Sequence, residues 1–316
     1  MTAVLRMIGG RLLWSVPLLL VLSALTFTLS WLTPGDAART ILGTNTDPAA
    51  YRQVREQLGL DRPLAEQYWT WLAHAVRGDL GNSLFTGEPV ASALNARLGV
   101  SLCLLAGAAL VIAVAGVAVG MAGALRGGLA GRILDGASVI GMSVPQPWFG
   151  LVLVVVFAVN LGLFPVTGYV PFVQSPADWA RSLVLPAVCL AVGGIAMIAK
   201  QVRGAMVDVL GRPCIRALRA NGLPARSIIF RHAAKNAALP VVNVFGVVLI
   251  GMLGGSIVVE QLFALPGLGP LAVSATAQHD LPVLQGVVLY FTVLVVVVNL
   301  LTDLVSGWLM PKAVAS

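Results

Sequence analysis

Residues 211–240, GRPCIRALRANGLPARSIIFRHAAKNAALP, form a long polar segment between apolar runs that are each long enough to cross a bilayer. Pro213 suits the first position of a helix, where a missing N–H costs nothing. Gly222 suits the left-handed residue that closes one, so the spacing predicts a short helix of about two turns. Pro224 then opens a second helical run, with Ile228, Ile229 and Phe230 among Arg226, Arg231 and Lys235, and Pro240 marks the start of the next apolar span. The segment reads as helix, sharp turn, helix, held close to a membrane surface.

The composition around it excludes a soluble globule. Of 316 residues, 58% are hydrophobic and 10% charged, whereas globular chains carry about 25% charged residues. A net charge of +7 would suggest nucleic acid in a soluble protein. Here the charge is divided unevenly between loops, which points to membrane topology and to no nucleic-acid partner. Cys103, Cys189 and Cys214 are far apart and make neither a metal spacing nor a disulfide framework. The first apolar run follows Arg6 and Arg11, is too long for a signal-peptide core and lacks a small-residue cleavage site before Pro34. It reads as a retained span.

Span one, 12–32, covers about 30 Å at 1.5 Å per residue, the thickness of a hydrocarbon core. The other five apolar runs are 98–125, 133–160, 183–199, 241–259 and 283–301, so the fold class is an all-α integral membrane protein with six transmembrane helices. The loop 33–97 predicts two helices expected on the outer surface. Asp47 caps and Pro48 begins the one that stops at Gly59, and Pro63 begins the one that stops at Gly78. The second carries a stripe of Leu64, Tyr68, Trp71, Leu72 and Ala75 with Trp69 beside it, a packing face or interface belt. Gly116 with Gly120, and Gly251 with Gly255, have the small-xxx-small spacing that lets a second helix approach. Pro145 and Pro147 predict a kink in span three.

Charge orients the chain. Arg6, Arg11, Arg126, Arg132, Lys200, Arg203, Lys312 and the basic residues of 211–240 fall on one side, against Asp135 and Asp208, with Asp303 near the end of span six. The opposite loops hold more acidic than basic residues. By the positive-inside rule the 211–240 segment and both termini are cytoplasmic.

Within that segment, Arg216-Ala217-Leu218, Ala220-Asn221-Gly222-Leu223, Phe230-Arg231-His232-Ala233, Asn236-Ala237 and Leu239-Pro240 resemble the coupling segment of ABC importer permeases of the dipeptide, oligopeptide and nickel branch. Arg216 stands where the general importer motif has Glu, and Gly222 lies farther ahead of Pro240 than in sugar permeases. Both departures are similar to the peptide branch. The resemblance extends through Leu32-Thr33-Pro34-Gly35-Asp36, Gln57 to Asp61, Gly78 to Gly81 with Ser83, Ser143-Val144-Pro145 and Leu185-Pro186-Ala187. It continues through Val259-Glu260, Phe263 to Gly269, Pro282-Val283 with Gln285-Gly286, and Asn299-Leu300 with Asp303-Leu304. The long loop after span one is similar to that of the first, B-type, permease subunit.

The resemblance implies a type I importer architecture in a bacterial inner, or cytoplasmic, membrane. It assigns ATPase coupling to Arg216, Ala217, Leu218, Arg219, Ala220, Asn221, Gly222 and Leu223. It implies as partners a second permease chain, expected to differ from this one, two cytoplasmic ATPase subunits or domains, and an external substrate-binding protein. ATP and Mg belong to the ATPase subunits, and this chain is expected to bind no cofactor.

The residues agree with a chain that does no chemistry itself. There is no GxxxxGK[ST] loop, no HExxH and no GxSxG, and His74, His232 and His279 are scattered, so no catalytic residue and no metal site are expected. His279-Asp280 reads as a solvated loop pair. Ionisable groups cluster at span ends, which argues against a proton-coupled secondary transporter, and a scaffold without transport is the remaining rival. The polar span residues are neutral: Ser143 and Gln146 by the Pro145 kink, Asn243 and Ser256 in span five, Gln285 and Asn299 in span six. They are helix-to-helix glue or line a water-filled path, and Ser143, Pro145, Gln146, Asn243 and Ser256 are the candidates for the path. Bare nickel wants several nitrogen donors and the spans offer no histidine. Peptides of varied side chain want a path that holds none of them strongly. Peptide cargo is therefore the expectation, with nickel or a metal chelate as the alternative.

Overall fold

The computed structural model describes residues 2–33, 35, 37–43, 47–126 and 128–309. Readings that rest on Pro34, Asp36 and Lys312, and on the side chains of Arg6, Arg132 and Asp135, lie outside the described residues. The elements are α1 (Thr2–Leu32), α2 (Ala37–Leu42), α3 (Pro48–Gln57), α4 (Leu64–Ala75), α5 (Val90–Leu125), α6 (Gly128–Ser143), α7 (Gln146–Asn160), α8 (Pro176–Leu210), α9 (Pro213–Ala220), α10 (Ala225–Leu262), α11 (Leu268–Gln278) and α12 (Leu281–Leu309). Among the described residues the strand content is a single antiparallel bridge, Asn82 with Pro89. Five helices are long and apolar enough to cross a membrane: α1 from Gly9, α5, α8, α10 and α12. The pair α6 and α7, bent by 99° at Val144 and Pro145, makes a sixth if counted as one broken span.

Several helices outrun the apolar runs that announce them. α8 begins ahead of 183 and continues past Lys200 and Arg203, because a helix whose backbone is bonded internally does not have to stop where its side chains turn polar. Pro240 marks the start of an apolar run but not of a helix. α10 runs through it without a break from Ala225 to Leu262, losing one N–H bond while its neighbours keep theirs. A wide π turn at Ile228–Ala233 precedes it, and the Asn236 side-chain amide donates to the His232 carbonyl there at 2.7 Å.

The chain forms two compact units. The first comprises Met1–Ile8, Leu102–Leu265 and Val297–Ser316, and α8 is its centre. In the apolar window of α8, 61% of residues are buried, against 28% or less in the other four candidate spans. Glycines bring neighbouring helices onto it. A Cβ on Gly116 would stand 2.9 Å from Ile198 Cγ2, and one on Gly120 only 2.6 Å from the Ala199 carbonyl oxygen. The second glycine pair behaves differently. Gly255 makes room for the Gln146 amide, 2.8 Å from its would-be Cβ, whereas Gly251 has nothing within 4 Å. Within this chain the second pair therefore makes one close contact.

The second unit comprises Gly9–Ser101 and Pro266–Val296. Its core is Leu80, Val90, Leu94, Leu268, Ala275, Val283 and Val287, closed by Gly286, whose would-be Cβ lies 2.6 Å from Val90 Cγ1. α3 starts at Pro48 under a cap in which Asp47 accepts from the Ala49 N–H at 2.9 Å, and Gly59 closes it at φ 66°. At the far end of α4, Asp79 accepts from the Gly81 N–H and from His74, which hold its carboxyl below the usual carboxylate range. Gln285 is fully buried and donates to the Ser23 carbonyl at 3.0 Å.

Asp280 corrects the reading of a solvated pair. It is 3% exposed, and it accepts from the Ser83 hydroxyl and, at 3.3 Å, from the Leu84 N–H. Ser83 Oγ in turn accepts from the N–H groups of Phe85 and Thr86. His279 ends α11 in the left-handed conformation, φ 59°, with its ring against Gly35. One buried carboxylate thus organises a whole turn. Asp280→Ala is expected to strand the Ser83 and Leu84 donors at a cost of about 1–3 kcal/mol and to raise amide exchange selectively over residues 80–89. Asp280→Asn, which keeps an acceptor, should lose less. Unchanged exchange in Asp280→Ala would refute that role.

Candidate functional site

α9 hangs between α8 and α10 on two short connections, and its ends are defined by local chemistry. Arg212 supplies the extended residue before it (φ −68°, ψ 147°) and Pro213 takes the first helical position. At the other end Gly222 has φ 76°, its N–H bonds to the Arg219 carbonyl at 3.0 Å, and the Leu223 N–H reaches back to the Leu218 carbonyl at 3.2 Å. That pair of bonds is the Schellman closure, which satisfies carbonyls a helix end otherwise leaves open. The left-handed residue at its centre has to be glycine or pay in strain.

The helix shows two faces. Ile215 is buried, Leu218 and Leu223 are half-buried, and they anchor it. Arg216, Ala217, Arg219, Ala220, Asn221 and Gly222 are exposed. A small cavity of about 190 Å³ beside the anchor is lined by Leu125, Leu210, Arg219, Leu223, Ala225, Ile228 and Ile229. The residues 216–223 therefore form one short, largely solvent-facing knob with small side chains at its crest and guanidinium groups on its flanks. Such a knob can fill a groove and meet carboxylates at the rim. It carries no nucleophile, base or metal ligand.

The path candidates separate. Ser143, exposed at the end of α6, donates back to the Val139 carbonyl at 3.1 Å. Pro145 is the extended residue that starts α7 (φ −64°, ψ 124°). Half-buried Gln146 holds its amide beside Gly255, and its carbonyl accepts from Cys189 Sγ at 3.4 Å. These three meet at the 99° break. Asn243 is exposed and accepts from the Ser306 hydroxyl at 3.0 Å, about 20 Å along α10 from Ser256 by helical rise. Ser256 is 0% exposed and donates to the Leu253 carbonyl at 2.9 Å, so it lines no open surface in this structure. Glu260, which reads in sequence as a charge at a span end, is 0% exposed in the last turn of α10. A carboxylate placed within a helical apolar period was the available signal for it. Among the described residues no three His, Cys, Asp or Glu side chains are placed to hold a metal ion.

Comparison with known proteins extends the picture over nearly the whole chain. Residues 104–314 match the family described as binding-protein-dependent transport system inner membrane component, and residues 4–104 match its N-terminal companion. The oligopeptide transport system permease protein AppB of Bacillus subtilis is 36% identical over 309 residues, covering 96% of this chain and 97% of that protein. The glutathione transport system permease protein GsiC of Escherichia coli is 35% identical over 302 residues, 95% of this chain and 96% of that one. Among solved structures, a chain of the MetNI methionine ABC transporter in an inward-facing conformation matches with a TM-score of 0.52 and 20% identity. The match covers 69% of this chain and 96% of that one, a likeness of fold.

Proposed function

This chain belongs to the family of binding-protein-dependent transport system inner membrane components, and we propose that it is the membrane-spanning subunit of an importer that carries short peptides across the bacterial cytoplasmic membrane. The observation that carries the cargo is the 35–36% identity, over nearly the whole chain, with permeases named for oligopeptide and glutathione transport. A multi-span chain without a phosphate-binding loop fits a division of labour in which ATP and Mg sit on two cytoplasmic ATPase subunits, a binding protein delivers the peptide outside, and a second, different permease chain completes the path. The positive-inside charge supports a cytoplasmic position for both termini and α9.

On this reading Arg216, Ala217, Leu218, Arg219, Ala220, Asn221, Gly222 and Leu223 are the coupling element. The exposed crest enters an ATPase groove, and closure of the ATPases on ATP favours one of two membrane conformations by differential binding. α9 is tied directly to α8 and α10, so it moves the two helices that dominate the first unit. Ser143, Pro145 and Gln146 at the broken span are the groups we assign to the path, and Ser256 to packing.

The test is uptake into vesicles that hold this chain, its partner subunits and the binding protein, comparing labelled di- to pentapeptides with nickel salts. ATP-dependent uptake of peptide is expected. Nickel uptake without peptide uptake would overturn the cargo, and ATP hydrolysis by this chain in isolation would overturn the division of labour.

A further inference from the structure

α4 is apolar on more of its circumference than a helix lying on a water surface should be. One face, Leu64, Tyr68, Trp71, Leu72 and Ala75, is half-buried. A second face, Ala65, Trp69 and Ala73 with Val76 just past the last turn, is equally apolar and exposed, Trp69 by 64% and Val76 by 81%. Polar residues occupy the remaining edge, which starts at Glu66, about 20° around the helix from Ala73 and paired with Arg62 at 3.4 Å. There Gln67, Thr70 and His74 line a cleft of about 490 Å³, together with Glu56, Arg62 and Asp79.

The depth of α4 follows from its contacts with α1. The Tyr68 hydroxyl lies 3.0 Å from Ser23 Oγ and donates to the Leu20 carbonyl at 3.3 Å, and its ring packs edge-on against Phe27 at 5.6 Å. The apolar run of α1 continues beyond all three, to Leu32, with Leu25, Leu29 and Leu32 more than half exposed. By helical rise, Phe27 and Leu20 lie about 8 and 18 Å inward of Leu32. Amphipathic helices embedded at an interface sit about 5–10 Å deep. The segment is also flanked by charges that return it to water, Asp61 and Arg62 before it, Arg77 and Asp79 after it.

We infer that α4, although it belongs to the loop after the first span, is inserted into the outer leaflet, with Trp69 and Val76 against lipid acyl chains and the Gln67, Thr70 and His74 edge on the water-filled cleft. This reading differs from the expectation that the helix rests on the outer surface, and it does not depend on the identity of the transported solute. The occupant is lipid because the exposed face lies at the depth of the exposed apolar residues of α1, has its one bordering charge, Glu66, at the N-terminal rim of α4 paired with Arg62 at 3.4 Å, and carries a tryptophan, the side chain that membrane interfaces favour.

The experiment uses the full chain in liposomes, with Cys103, Cys189 and Cys214 replaced by Ala and one nitroxide-labelled cysteine at a time: Trp69→Cys, Val76→Cys, Thr70→Cys and Leu25→Cys. Collision rates with oxygen, which concentrates in lipid, are compared with those of a water-soluble nickel chelate. Labels at 69 and 76 should match the oxygen preference of the label at 25 within about twofold and exceed that of the label at 70 by about fivefold or more. Preference for the chelate at 69 and 76 would return the helix to the water surface. Low collision with both reagents would mean that protein, a second copy or a partner chain, covers the face. Either result overturns the inference. A cysteine-free background is avoided altogether by quenching the native tryptophans with acyl-brominated lipid. Trp69→Phe should remove part of the quenched emission, and an unchanged quenched fraction would count against insertion.

Discussion

Gly222→Val is expected to lower ATP-driven uptake about tenfold while insertion and helix content stay as they are. The residue sits at φ 76° in the Schellman closure of α9, where an L side chain costs about 1–2 kcal/mol, and 1–2 kcal/mol changes a conformational ratio by a factor of about 5–30. Space is not the issue, since a Cβ there would meet nothing within 4 Å. The effect therefore depends on backbone preference alone, which sets an order among substitutions. Asparagine, tolerant of the left-handed region, should be mildest, and alanine should be nearly as harmful as valine. Normal uptake by Gly222→Val would mean that the geometry of α9 is not what couples the ATPases to the spans.

Gly120→Val should act earlier, on assembly of the membrane domain. A Cβ at this position would stand 2.6 Å from both the Ala199 carbonyl oxygen and the Val202 Cβ of α8. The obstacle is backbone and a β-branched stem, neither of which can rotate away, so the helices have to separate. Overpacking of this kind costs about 1–3 kcal/mol and occasionally more, and it falls on the contact between α5 and the most buried helix of the unit. The yield of monodisperse protein extracted from membranes is expected to drop several-fold. Gly136→Val, where a Cβ would meet nothing within 4 Å, serves as the control and should extract like the parent chain. Equal yields from the two variants would show that the α5 and α8 contact does not limit folding.

Features set within one or two helical turns were legible in the sequence. Pro213 and Gly222 bound α9, Asp47 and Pro48 start α3, and Pro145 breaks span three, because each effect acts on neighbouring backbone. What sequence reading missed depends on partners far away along the chain. Asp280 looks solvated until Ser83, distant in sequence, is placed beside it. Ser256 looks like a path residue until the packing around α10 closes over it. Gly251 and Gly255 share one spacing, yet only one of them has a neighbour to admit. Pro240 marks the change in hydropathy but not a helix end, because in a bilayer the alternatives to helix cost more than one lost bond. The depth of α4 was hidden because composition tells a packing stripe from a surface but not which of two apolar faces meets lipid.

The length of α8 has a mechanical consequence. It is one continuous helix of 35 residues, Pro176–Leu210, carrying Pro186 without a break, about 52 Å long, with α9 joined at its Leu210 end through Gly211 and Arg212. Pivoted near that end, a tilt of about 5° swings the Pro176 end through roughly 4–5 Å, an amplitude typical of hinge and shear motions. On the proposed coupling role of α9, such a lever would turn a short stroke at the Leu210 end into travel of several ångströms at the Pro176 end by rotation alone, with no turn of helix having to melt.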